Sequence, residues 1–143
     1  MLTAPSCHAH VDTLLLTCRH RADCDHGVAL GFELDGDWMQ SYQQMLPDQL
    51  KAGIRVLMYA GDQDYICNWL GNQAWTLALP WTGRRGFRAA PVADWRVAGA
   101  KAGELRTSGP LSFLRVLDAG HMVPMDQPAA ALAMVNAFTA NKL

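Results

Sequence analysis

The strongest constraint on this chain is an almost uninterrupted apolar run, IRVLMYAG, at residues 54–61. Branched side chains and a closing glycine are typical of a strand that is buried on both faces of a parallel sheet. Asp62 and Asp64 follow directly, so two carboxylates stand at the carboxyl end of the predicted strand. In open α/β sheets that end is where ligands bind. The run therefore predicts an α/β fold with a candidate site just after residue 61.

A second apolar run, LSFLRVLDAG at residues 111–120, predicts another strand and is followed by His121. An acid after one strand and a histidine after a later one match the Ser, Asp, His chain order of the α/β-hydrolase triad. In such a triad the carboxylate fixes the tautomer of the imidazole and stabilises the imidazolium. Order alone leaves two readings open for Asp64 and His121: a catalytic pair, or a loop acid and a surface histidine.

Between the two predicted strands, the stretch NWLGNQAWTLALPW predicts a helix that ends at Pro80. The stretch WRVAGAKAGELRTSG predicts a hairpin with a glycine-containing turn. Upstream, residues 36–53 have apolar side chains at helical spacing. There Pro47 is an interruption and Gly53 a stop signal. These patterns predict a helix that leads into the first strand.

The last segment, DQPAAALAMVNAFTANKL at residues 126–143, predicts a C-terminal helix. Pro128 stands in its first turn, and Asp126 is a candidate cap. We expect its apolar stripe to consist of Leu132, Val135 and Phe138.

The overall composition limits the classes of function. With 143 residues, about one domain is expected, and a net charge of −1 gives no electrostatic reason to expect a nucleic-acid partner. No apolar run approaches the roughly 18 residues of a membrane span, and the short run TLLLT near the start lacks a basic leading region. We therefore predict neither a membrane span nor a signal peptide.

Residues 1–31 differ from the rest of the chain and are predicted to be an irregular or non-homologous leader. They contain several side chains that bind metal ions: Cys7, His8, His10, Cys18, His20, Cys24 and His26. One alternative for the chain is therefore a non-catalytic binding module with a Cys/His metal site in this leader. No paired C-x-x-C motif is present, so we expect no metal ligands in this leader. We also expect no cofactor.

Four stretches carry a more specific signal: GDWM, AGDQDYICNWLGNQAW, LPW and LRVLDAGHMVPMDQPAAALAMVNAF. Together they resemble the C-terminal portion of the serine carboxypeptidases, and within them the carboxypeptidase Y type, from about Gly36 to Phe138. For residues 32–143 the resemblance implies the C-terminal part of an α/β-hydrolase fold, with the last core strands, a hairpin and the C-terminal helix. The implied reaction is the release of C-terminal amino acids from peptides.

The resemblance also implies roles for individual residues. Asp64 would be the triad acid and His121 the base, while Cys67 and Met122 would line substrate subsites. Asp62 would shape the loop by capping backbone N–H groups. The implied partner is the C-terminus of a peptide substrate, with no nucleic acid or membrane involved.

One departure from the family pattern concerns the nucleophile. None of the serines lies in a G-x-S-x-G motif: Ser6, Ser41, Ser108 and Ser112. We therefore expect a fragment that carries the Asp and the His but is inactive alone. A fragment of an esterase or lipase with the same Asp, His order is a further alternative. Full-length family members are vacuolar, lysosomal or secreted, which leaves the location of this chain undetermined.

Overall fold

The computed structural model describes residues 25–143, which divide into two compact units between Gln40 and Ser41. In the first unit, helix α1 (His26–Leu34) begins after Asp25, whose Oδ1 accepts the N–H groups of Gly27 and Val28 at 2.8 and 3.1 Å. The helix crosses the predicted leader boundary at residue 31, where the sequence indicated no regular structure. Residues 1–24 of that leader, with most of its cysteines and histidines, lie outside the described residues.

The second unit contains a four-stranded sheet made of β1 (Val56–Gly61), β2 (Ala93–Val97), β3 (Ala100–Ser108) and β4 (Leu111–Val116). Its strand order is β1-β4-β3-β2, with β1 and β4 parallel and the other pairs antiparallel. Both predicted core strands and the predicted hairpin are confirmed. The hairpin turns at Ala98 and Gly99, which both have positive φ.

Five helices accompany this sheet: α2 (Leu46–Lys51), α3 (Trp69–Ala78), α4 (Arg84–Ala89), α5 (Val123–Asp126) and α6 (Pro128–Thr139). The sequence predicted α3 and α6 and missed the short α4 and α5. Through residues 25–143, no helix is long and apolar enough to cross a membrane.

The single helix predicted over residues 36–53 is wrong. Two 3₁₀ turns, Asp37–Met39 and Tyr42–Met45, precede α2 instead. Pro47 lies in the first turn of α2, where its missing N–H has no helical partner to lose, so it starts the helix instead of interrupting it. Gly53 follows the helix with φ of 78°, as a stop signal should.

The core lies on both faces of β4, because alternate side chains of this buried strand point to opposite sides of the sheet. On one face, Leu111 and Phe113 pack in a cluster with Leu50, Leu79 and Phe87. On the other face, the cluster contains Trp95, Leu114, Val116, Ala119, Val123, Ala130, Ala131 and Met134. Helices therefore cover both faces of the sheet, and β4 is its most deeply buried strand.

Helix α6 packs through a different face from the predicted one. Leu132 and Val135 are more than half exposed, while the buried side chains are Ala130, Ala131 and Met134. Alanines bring a helix backbone close to a sheet, so they form the packing face here although they are less hydrophobic than Leu132 and Val135.

Candidate active site

The carboxyl ends of β1 and β4 adjoin because the two strands are parallel neighbours. Their pairing continues past the strands, where the N–H of Asp62 donates to the carbonyl of Val116 and the N–H of Gln63 donates to the carbonyl of Ala119, both at 2.9 Å. The loop after β1 is thereby attached to the loop after β4. Side chains from the two loops are brought to the same edge of the sheet.

Gly61 allows this close approach of the two loops. A Cβ atom at this position would overlap the carbonyl oxygens of Ala119 and Gly120, which are backbone atoms that cannot turn away. The last residue of β1 must therefore lack a side chain. The glycine that closes the apolar run in the sequence has this steric role, in addition to ending the strand.

Asp64 uses both of its carboxylate oxygens. Oδ1 accepts the N–H groups of Ile66 and Cys67, each at 3.0 Å, and Oδ2 lies 2.9 Å from Nδ1 of His121. The Asp64 side chain is only 7% exposed, whereas that of His121 is 66% exposed. The carboxylate is therefore held by its own loop and presents one oxygen to an accessible imidazole.

The hydrogen bond with His121 lowers the pKa of the Asp64 carboxyl from its ordinary value of 3.8. Burial acts in the opposite direction, while the N–H of Cys67, the charge of His121 and the N–H of Ile66 lower the pKa further. At neutral pH Asp64 is thus an acceptor, and Nδ1 of His121 donates to it. In the neutral imidazole, Nε2 then carries the free lone pair, and no hydrogen bond occupies Nε2 among residues 25–143.

A third side chain, Asp126, holds the loop that carries His121. Its Oδ2 accepts the N–H of Gly120 at 2.7 Å, one residue before the histidine. The predicted role of Asp126 as the cap of α6 is wrong, because Gln127 occupies the N-cap position and no side chain caps that helix. Gln127 instead donates from Nε2 to the carbonyl of Asp118 at 3.1 Å. Two residues before α6 therefore hold the loop.

The prediction that Asp62 caps backbone N–H groups is also wrong. The N–H groups of Ile66 and Cys67 donate to Asp64 instead. The Asp62 side chain, 8% exposed, pairs with Nη2 of Arg115 at 3.4 Å. Arg115 also lies over the ring of Trp69, 4.1 Å from its centroid, and donates from Nη1 to Glu104 at 3.3 Å. Asp62 thus links the loop after β1 to β4 through the Arg115 guanidinium, which Trp69 and Glu104 also contact.

A cleft of about 300 Å³ opens beside the Asp64 and His121 side chains. Its lining includes Tyr59, Gly61, Asp64, Cys67, Asn72 and His121. Cys67 is a free, exposed cysteine, and its carbonyl accepts a hydrogen bond from Nδ2 of Asn72 at 2.9 Å. Of the four predicted site residues, Asp64, Cys67 and His121 therefore meet at one cleft.

Met122 is the fourth predicted site residue, and it lies outside the lining of the cleft. It precedes α5 with 58% of its surface exposed, and the next residue, Val123, lines the cleft instead. The subsite roles of Cys67 and Met122 stay predictions. Within residues 25–143 no serine lines this cleft; Ser112, for example, is buried in β4 and pairs with the hydroxyl of Thr107 at 3.0 Å.

Known proteins that resemble this chain in sequence are named carboxypeptidases. Carboxypeptidase Y of Candida albicans is 51% identical over 113 residues, which are 79% of this chain and 21% of that protein. The vacuolar serine-type carboxypeptidase ATG42 of Saccharomyces cerevisiae is 43% identical over 129 residues, 89% of this chain and 25% of that protein. The chain thus spans about a fifth to a quarter of the length of these relatives.

A solved structure extends the likeness to the fold. The crystal structure of Kex1(Δ)p, a prohormone-processing carboxypeptidase of Saccharomyces cerevisiae, matches 69% of this chain and 22% of its own with a TM-score of 0.62 and 29% identity. The predicted fold class, part of an α/β-hydrolase, is confirmed, while the leader boundary at residue 31 stays a prediction. A family model described as serine carboxypeptidase matches residues 13–141, and the chain belongs to the serine carboxypeptidase family.

Proposed function

We propose that this chain supplies the acid and the base of a serine-type carboxypeptidase. Asp64 is the acid and His121 is the base. The observation that carries the proposal is the 2.9 Å contact between Oδ2 of Asp64 and Nδ1 of His121, at the adjoining carboxyl ends of two parallel strands. Catalytic groups of α/β sheets characteristically lie at this edge.

In the proposed mechanism, Nε2 of His121 takes the proton of a serine hydroxyl as the serine attacks the scissile carbonyl. Asp64 keeps the imidazole proton on Nδ1 and stabilises the imidazolium. His121 then passes the proton from Nε2 to the amino group of the departing amino acid. Water repeats the sequence on the acyl-enzyme, so both half-reactions use the same pair.

The serine is proposed to come from sequence outside these 143 residues. No serine of the chain lies in a G-x-S-x-G motif, and the chain covers 21% of the length of the Candida albicans relative. The pair Asp64 and His121 is therefore one half of a catalytic site. Within this chain alone, no serine of such a motif is available for His121 to deprotonate.

The proposed substrate is the C-terminus of a peptide, since the relatives and the matched structure are named carboxypeptidases. An esterase or lipase would share the Asp, His order, but no such protein is among these relatives. Cys67 lies in the cleft beside the pair, which supports its role in a subsite, and Met122 is accessible next to His121. The name of the Saccharomyces relative supports a vacuolar location for the full-length protein.

A chimera tests this function. Residues 36–138 of this chain would replace the corresponding stretch of the Candida albicans carboxypeptidase Y, which restores a serine. We expect the chimera to release the C-terminal amino acid from an N-blocked dipeptide and to react with a fluorophosphonate probe, and His121→Ala to abolish both. The control substitution must lie within the grafted stretch, which excludes His26. We choose Gln63→Ala, at an exposed residue next to Asp64.

A chimera that melts cooperatively and hydrolyses an acyl ester but not the dipeptide would favour the esterase alternative. Dipeptide hydrolysis that His121→Ala leaves unchanged would remove this histidine from the mechanism.

A further inference from the structure

We propose that Asp64, Cys67 and His121 form a binding site for a borderline-soft divalent cation such as Zn²⁺. Each residue offers one ligand atom, and these atoms lie within 4.8 Å of one another. Carboxylate oxygen, thiolate sulfur and imidazole nitrogen are the donors that Zn²⁺ takes in proteins, and three protein ligands leave a fourth position for water. The site therefore has the donor set and the open position of a zinc centre.

Hydrogen bonds already place two of the three ligands. Oδ1 of Asp64 accepts the N–H of Cys67 at 3.0 Å, which closes a turn and holds the cysteine backbone beside the carboxylate. Asn72 holds the same residue from the other side, through the bond from its Nδ2 to the carbonyl of Cys67 at 2.9 Å. The second oxygen of Asp64 remains directed at His121. An ion therefore meets a site whose backbone is fixed before binding.

An ion can reach two of the three donor residues, Cys67 and His121, directly from solvent, while the Asp64 side chain is only 7% exposed. Cys67 is a free, exposed cysteine, and the His121 side chain is 66% exposed. The donors also select the class of ion. Ca²⁺ and Mg²⁺ require mainly oxygen ligands, whereas a thiolate and an imidazole favour Zn²⁺, Co²⁺ and similar ions.

In the proposed site the ion binds Nδ1 of His121 and Oδ2 of Asp64, so it competes with the hydrogen bond between these two atoms. Nδ1 and Oδ2 are 2.9 Å apart, and two tetrahedral bonds to zinc of about 2.05 Å need these atoms about 3.3 Å apart. A small opening of the pair therefore admits the ion. As the ion binds, the thiol releases its proton to water, and the neutral imidazole moves its proton from Nδ1 to Nε2.

This proton shift has a consequence for catalysis. With the ion on Nδ1, Nε2 carries a proton and cannot accept one from a nucleophile, so the ion is a reversible inhibitor rather than a cofactor. The inhibition rests on the proposed function of the pair. The binding itself does not, because it needs only the three donors.

The binding experiment uses the full chain with Cys7→Ser, Cys18→Ser and Cys24→Ser, so that Cys67 is its one thiol. On titration with Co²⁺ we expect a near-ultraviolet band from thiolate-to-cobalt charge transfer, which Zn²⁺ abolishes by displacement. In this background, Cys67→Ser should remove the band. Both His121→Ala and Asp64→Asn should weaken Co²⁺ binding by about tenfold or more.

His26→Ala is the matched control for the histidine and should bind Co²⁺ as the background does, because His26 lies in α1 and outside the cluster. Circular dichroism of every variant checks whether the fold is retained. Absence of the thiolate band at millimolar Co²⁺ in the folded background protein would overturn the proposal. An affinity unchanged by both His121→Ala and Asp64→Asn would also overturn it, since Cys67 would then bind the ion as a lone thiol.

Inhibition is tested separately in the chimera. Zn²⁺ should inhibit its dipeptide hydrolysis, and a chelator should restore it. The zinc concentration for half inhibition, measured against each variant's own activity, should rise about tenfold or more with Cys67→Ser. A chimera that is inactive without zinc would contradict the proposed function while leaving the binding result intact. An active chimera with equal zinc sensitivity in both forms would contradict the inhibitory site.

Discussion

Oδ2 of Asp64 lies 2.9 Å from Nδ1 of His121, although the two residues are 57 positions apart in the chain. The sheet produces this contact, because β1 and β4 are parallel neighbours and their carboxyl ends adjoin. Gly61 then allows the two following loops to approach closely. The geometry of the pair is thus a property of the tertiary fold and not of either loop alone.

The pKa of Asp64 leads to a prediction about stability and pH. Because the hydrogen bond from His121 lowers this pKa in the folded chain, the ionised carboxylate stabilises the fold above the unfolded pKa, near 3.8. That stability is lost as the pH falls through the lower folded value. We expect the difference in unfolding free energy between wild type and Asp64→Asn to be present above about pH 4 and to shrink below it.

Urea unfolding at a series of pH values from 7 to 3 measures this difference. A difference that persists unchanged down to pH 3 would show that ionisation of Asp64 contributes nothing to the stability of the fold.

Gly61→Ala should destabilise the chain, because the added Cβ overlaps the carbonyl oxygens of Ala119 and Gly120. Forced overpacking of this kind costs about 1–3 kcal/mol, and the loops after β1 and β4 must move apart. Gly31→Ala is the matched control, since its Cβ meets nothing within 4 Å and alanine is favoured in a helix. Thermal melting of both variants gives the comparison; equal melting temperatures would mean that the close approach is not required.

The sequence predicts the parts of this site that lie on buried strands. β1 and β4 are recognisable because burial on both faces leaves a continuous apolar run, and Asp64 and His121 follow those runs. Asp126 shows where prediction fails. Its partner is the N–H of Gly120, six residues away, a contact formed by the loop after β4 and without a local sequence pattern.

Other errors have a similar physical origin. In α6 the alanines pack against the sheet and Leu132 faces outward, which hydrophobicity alone would not suggest. Asp62 pairs with Arg115 of β4, 53 positions away, so its role depends on a strand neighbour that local sequence does not reveal.

Asp126→Ala should loosen the His121 loop, because the N–H of Gly120 loses its acceptor. We expect the pKa of the Asp64 carboxyl to rise towards its ordinary value as the contact with His121 weakens, with a stability loss of about 1 kcal/mol. Asp126→Asn keeps an acceptor oxygen and should restore most of the shift. Carbon-13 NMR titration of the Asp64 carboxyl reports this directly; an unchanged pKa in Asp126→Ala would show that Asp126 does not position the histidine.

The 143-residue chain by itself should not hydrolyse peptides or esters. Loss of the nucleophile from a serine protease lowers kcat by about 10⁶-fold, and no serine of this chain lies in a G-x-S-x-G motif. Purified chain assayed with an N-blocked dipeptide and an acyl ester should match buffer. Hydrolysis that persists through further purification and disappears in His121→Ala would contradict the division of the site between this chain and other sequence.

The identity of the catalytic acid is the central claim, and turnover of the chimera with Asp64→Asn or Asp62→Asn tests it most directly. We expect Asp64→Asn to lower kcat by about 10⁴-fold, because an amide in place of the carboxylate favours the wrong tautomer of His121. Asp62→Asn should keep most of the turnover and lose stability, on the order of 1–3 kcal/mol for a buried acceptor paired with Arg115. A stable Asp62→Asn chimera without turnover, beside an active Asp64→Asn chimera, would show that the acid has been assigned to the wrong carboxylate.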